Sequence, residues 1–157
     1  MLKALIFVRI SSLTPVVLGL DEIIFHKGSE AGIAAARKSP PNTISVAAHG
    51  SNRRCKDERG KEPKVLYVDD LAKIITSDPS YDPKKTIRLN ICNAGFRNDS
   101  LGQELSKKIP NKVEAPSDAI TVRGSDYTWF GGGYSHHSST IDNGGTWRGF
   151  LNGIEVK

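Results

Sequence analysis

Apolar residues fall in short runs separated by polar, glycine- and proline-rich stretches, and their spacing switches between the period of a strand and that of a helix. Residues 4–8 and 15–20 are apolar and partly β-branched, which predicts two early strands joined by the Ser11-Ser-Leu-Thr turn. The start of the chain faintly resembles a signal peptide, but Arg9 interrupts the apolar run and no small-residue cleavage site follows, so it reads as a first strand. Residues 29–38 are alanine-rich behind Ser29, a cap residue, and predict a helix that Pro40-Pro41 stops.

Residues 44–48 are apolar except for Ser45, the pattern of a strand buried on both faces in a parallel sheet, and they close on His49-Gly50. The charged stretch 52–64 predicts a solvated loop or mobile hairpin tip. Residues 67–77 predict a helix, with Asp69 and Asp70 near its positive end. After the turn-rich connector 79–85, Ile87, Leu89 and Ile91 alternate with Arg88 and Asn90, giving a strand that ends at Cys92. Asn93-Ala-Gly-Phe reads as a loop, and Asp99 or Ser100 caps a helix that runs to Ile109 and stops at Pro110.

Two further strands are expected at 112–115 and 119–122, around the turn Pro116-Ser117-Asp118. From Gly124 onward Gly131-Gly-Gly, His136-His137 and Asn143-Gly-Gly predict a loop-rich C-terminal third, with a final hairpin packed by Trp129 and Trp147. Alternating strand and helix signals predict an α/β fold of three layers, a mostly parallel central sheet flanked by helices. In such sheets reactive groups gather beyond the carboxyl ends of the strands, where His49 and Cys92 both fall.

A chain of 157 residues can bury one core, so a single domain over 1–157 is expected. Apolar content of 38% with 25% charged residues argues against disorder, and no stretch has the apolar length of a membrane span. The net charge of +5 favours anionic partners. Its densest source is Arg53, Arg54, Lys56 and Arg59, where Asp57 and Glu58 dilute the field; as a functional patch this run would take an inositol-phosphate-like or nucleic-acid ligand.

Two cysteines, Cys55 and Cys92, make no disulfide framework and stand at no metal-ligand spacing, so neither a metal nor a cofactor is expected. His136-His137 reads as surface loop because adjacent strand residues face opposite ways, and Gly131-Gly-Gly lacks the context of a phosphate-binding loop. A thiol attacks as thiolate, and an imidazole beside it can take and return the proton. The unit from Ile44 to Ile91 has the length of one crossover connection, which would set the two strand ends side by side. Backbone N–H groups of Gly50 and Cys92 would then face a developing oxyanion.

The apolar strand ending in His49-Gly50, with a later apolar strand ending in Cys92 before Asn93-Ala-Gly, resembles the caspase-like cysteine peptidases of clan CD. The likeness is greatest to bacterial toxin self-processing peptidases and C-terminal toxin or effector domains, and it covers about residues 43–118. It implies Cys92 as nucleophile, His49 as general acid and base, Gly50 and Cys92 N–H as oxyanion hole, and Ser117 and Asp118 at the substrate pocket. It also implies a protein or peptide substrate, an immunity protein, an anionic activator, and delivery into the reducing cytoplasm of a target cell. The same dyad fits acyl transfer or deamidation, and a basic nucleic-acid-binding module without catalysis is the alternative of another class.

Overall fold

The computed structural model describes residues 21–35, 39–123, 126–130 and 145–157. The two strands expected at 4–8 and 15–20, Gly131-Gly-Gly and His136-His137 lie outside the described residues.

The first described strand, β1 (Glu22–Ile24), follows the apolar run 15–20 and has no counterpart among the expected elements. Helix α1 (Gly28–Ala35) begins one residue before the expected cap. Strand β2 (Thr43–Ala47) is buried at all five positions. Its hydroxyls remain satisfied, Thr43 Oγ1 donating to Pro41 O (3.1 Å) and Ser45 bonding Ser39 Oγ (3.1 Å). The charged stretch folds as a hairpin of β3 (Cys55–Asp57) and β4 (Lys64–Leu66), which buries Cys55 and Leu66.

Helix α2 (Val68–Ser77) starts after Tyr67, whose backbone N–H donates to the Asp70 carboxylate (3.0 Å). Strand β5 (Thr86–Asn90) follows, then α3 (Leu101–Lys108), with Ser100 accepting from the Gln103 N–H at its start. The remaining strands are β6 (Val113–Pro116), β7 (Ala119–Arg123), β8 (Asp126–Phe130), β9 (Trp147–Leu151) and β10 (Ile154–Val156).

Among the described residues six strands form one mixed sheet in the order β1-β2-β5-β6-β9-β10. The first four are mutually parallel; β9 runs antiparallel to β6, and β10 to β9. Helices α2 and α3 pack on each other, and α3 lies against β6 and β9. Ile44, Val46, Ile87, Leu89, Leu71, Ile75 and Leu105 are fully buried in the core between them.

Among the described residues of the C-terminal third the final hairpin is present as β9 and β10, and β8 adds a further strand. Strand β7 leaves the main sheet to pair with β8, because the turn at 116–118 turns the chain away from the register of β6. Trp147 joins the sheet through a cation–π contact, the Arg88 guanidinium lying 4.1 Å over its ring while also bonding Glu114 (3.0 Å).

Candidate functional site

Strands β2 and β5 pair in register, Ala47 opposite Asn90, and the pairing continues through an Ala48 N–H bond to Asn90 O (3.4 Å). His49 and Cys92 each follow two residues later, beyond the carboxyl ends of these two neighbouring parallel strands.

The side chains have different partners. The Cys92 thiol donates to Ile120 O and accepts from the Ile120 N–H, both at 3.4 Å, so β7 grips the sulfur. The His49 Nε2 lies 2.9 Å from Glu30 Oε2 and 3.9 Å from Glu58 Oε1, and its ring packs edge-on against His26 with centroids 4.7 Å apart. No direct hydrogen bond joins the thiol to the imidazole, each of which has other partners.

The His49 loop is clamped by two bonds, Lys56 N–H to His49 O (2.9 Å) and Ser51 N–H to Arg54 O (2.8 Å). Neither uses the Gly50 N–H. A Cβ on Gly50 would lie 2.6 Å from both Arg54 O and Ile91 Cγ2, so only glycine lets the hairpin approach this closely. Gly95 is equally confined, since a Cβ there would lie 2.6 Å from Ala115 O, and its N–H bonds Pro116 O (2.8 Å), fixing the loop after Cys92.

Ser117 and Asp118 flank this loop and bond to its backbone and to Thr146. Asp118 is buried, its carboxylate accepting from the Ala119 N–H (2.8 Å) and its carbonyl from the Asn93 N–H (3.0 Å). Ser117 Oγ accepts from the Thr146 N–H (2.9 Å). Through these bonds both shape the loop around Cys92.

Of the two thiols, Cys55 is the inert one. Burial first, then the Asp57 and Asp70 carboxylates, push it up to about 12. Within the basic run, Arg59 is held by Asp57 (2.9 and 2.8 Å) and stacks on Phe25, which removes it from any anion patch. Arg54 and Lys56 remain exposed and line a cleft of about 280 Å³ together with His49 and Gly50.

Three residues not expected from the sequence surround His49. His26 follows β1, Glu30 lies in the first turn of α1, and Glu58 follows β3. Backbone bonds from the Glu58 N–H to Phe25 O (2.9 Å) and from the Phe25 N–H to Ala47 O (2.8 Å) lash these segments together. One ligand atom from each of His26, Glu30, His49 and Glu58 lies within 4.8 Å of the others. The expectation of no metal-ligating group rested on cysteine spacings, and this cluster uses neither cysteine. The signals that could have found it are an apolar run ending in histidine, Ile23-Ile24-Phe25-His26, and the one-turn spacing from His26 to Glu30.

The fold and site define an α/β protein with a thiol and an imidazole at adjacent parallel strand ends. The chain belongs to the family described as Domain of unknown function (DUF8616), whose model matches residues 21–135. No curated protein and no solved structure matches the chain. No helix among the described residues is long and apolar enough to cross a membrane.

Proposed function

We propose that the protein is a thiol hydrolase of the caspase-like type, cleaving peptide bonds with Cys92 as nucleophile and His49 as general acid and base. The observation that carries this reading is the matched placement of the two residues beyond β2 and β5. The four parallel strands, with an antiparallel strand next to the fourth, are compatible with a caspase-like three-layer arrangement.

In this reading His49 takes the Cys92 proton, and the thiolate attacks the scissile carbonyl carbon. The oxyanion is received by the N–H groups of Gly50 and Cys92, neither of which forms a hydrogen bond among the described residues. His49 returns the proton to the leaving amine as the C–N bond breaks, leaving a thioester on Cys92. Water, deprotonated by His49, then releases the acid and regenerates the thiol. With Nε2 engaged by Glu30, Nδ1 is the nitrogen left to exchange this proton, and the carboxylate fixes that tautomer.

A peptidyl acyloxymethyl ketone tests the reading, followed by sequencing of new N-termini in a treated lysate. The expected result is covalent labelling at Cys92, lost in His49→Ala, with new N-termini absent in Cys92→Ala. Target proteins one mass unit heavier with no new N-termini would assign the thiol to deamidation instead. Labelling indifferent to His49 would remove the dyad.

A further inference from the structure

We propose that His26, Glu30, His49 and Glu58 form a binding site for a divalent transition-metal ion, zinc by preference. Two imidazoles and two carboxylates are a borderline-soft nitrogen and oxygen donor set, which zinc takes in tetrahedral geometry. Tetrahedral ligands about 2.0–2.1 Å from zinc are roughly 3.3 Å from one another. The observed spread of up to 4.8 Å therefore needs a contraction of at most about 1.5 Å. Glu30 and His49, both about half exposed, have the freedom to supply it.

The unpaired atoms point the same way. His26 Nδ1 and Glu58 Oε1 are buried and have no hydrogen-bond partner. Buried polar atoms are rarely left so, and an ion is one of the few things that satisfies a nitrogen lone pair and a carboxylate oxygen together. A simple ion pair between His49 and Glu30 accounts for those two side chains but leaves both orphans unexplained.

The backbone has brought the four donors together beforehand. They come from three loops and one helix turn, tied by the bonds from Glu58 to Phe25, Phe25 to Ala47 and Lys56 to His49. A consequence, resting on the Cys92–His49 reading, is that the ion would be a brake. An ion on His49 Nε2 forces the remaining ring proton onto Nδ1, and the imidazole then has no lone pair for the thiol.

The test is direct binding to EDTA-treated protein carrying Cys92→Ala, so that catalysis and its thiol are out of the measurement. Calorimetry with Zn²⁺ should find one ion per chain, and Co²⁺ should give visible d–d bands without the near-ultraviolet band of a cobalt–thiolate bond. Glu58→Gln and His26→Gln should each weaken binding at least tenfold, while circular dichroism stays unchanged. Glu30→Gln, at an exposed position, provides a variant expected to fold without difficulty and to weaken binding as well. Absence of saturable binding at 100 µM Zn²⁺, or an affinity indifferent to all three substitutions in folded protein, would overturn the proposal. Loss of the peptidase reading would leave the binding result standing, and the reverse also holds.

Discussion

His49 Nε2 and Glu30 Oε2 are 2.9 Å apart, although nineteen residues separate them along the chain. Glu30 reaches the imidazole from the first turn of α1, and this contact fixes both the ring's orientation and the nitrogen that carries its proton. Glu30→Gln keeps the shape and removes the charge. If the protein is the peptidase proposed above, the chelator-treated variant should show a kcat lower by about 10- to 100-fold with KM little altered. A purely structural role would instead lower stability and leave the split between kcat and KM unmoved. An unchanged kcat would deny Glu30 this positioning role.

Gly50 is the position where the hairpin β3–β4 presses closest on the sheet. Any Cβ there meets the Arg54 carbonyl and the Ile91 side chain at 2.6 Å, and the carbonyl is anchored by the Ser51 N–H. Gly50→Ala should cost about 1–3 kcal/mol through overpacking. For a chain of this size that is a fall in Tm of about 2–4 °C per kcal/mol, measurable by calorimetry. Because the shift would displace the His49-Gly50 backbone, labelling of Cys92 should slow as well. A variant of full stability would mean that the hairpin can move away freely.

Elements that declare themselves through local periodicity were legible in the sequence. Strands β2 and β5, helices α2 and α3 and the start of β6 lie within about two residues of expectation, because apolar period, caps and prolines act over one or two turns. Ser100 caps α3 as its residue type predicts. Strand β1 was not legible: three residues, one of them Glu22, carry no period. The placement of Cys55 was hidden too, since its burial comes from pairing with Leu66 while its neighbours in sequence are charged. The same limit applies to the site. His49 and Cys92 were visible because each ends an apolar strand, whereas Glu30 and Glu58 approach His49 only through contacts between segments distant in sequence.

Asn111 is buried just before β6 and uses its whole amide. Its Nδ2 donates to Asp82 O (2.9 Å) and Lys85 O (2.8 Å), and its Oδ1 accepts from the Tyr81 hydroxyl (2.8 Å). The connector between α2 and β5 is thereby tied to the end of α3. Asn111→Ala leaves two carbonyls and a hydroxyl without this partner, and about 2–4 kcal/mol of stability should be lost in urea unfolding. Tyr81→Phe removes only one of the three bonds and should cost about 1 kcal/mol. Equal losses in the two variants would show that Tyr81, and not the amide, holds the connector.

Cys55 and Cys92 should separate cleanly in reactivity and in their pH dependence. Native protein at pH 8 should take up one iodoacetamide, at Cys92, and a second only on unfolding, because Cys55 is enclosed by the hairpin and its thiol is pushed up to about 12. Below about pH 9 this thiol is protonated in both folded and unfolded chains and contributes no pH dependence. As pH rises above that value the unfolded chain releases the proton while the folded chain keeps it, so the unfolded state binds fewer protons and stability falls. The slope should reach about 1.4 kcal/mol per pH unit and level off once the folded thiol ionises near 12. Other groups titrate in the same range, and the comparison with Cys55→Ala isolates this contribution. The variant should start less stable through the lost sulfur packing, yet its urea midpoint should decline less steeply between pH 9 and 11. Parallel declines in the two proteins would show that Cys55 is not enclosed in solution as the hairpin implies.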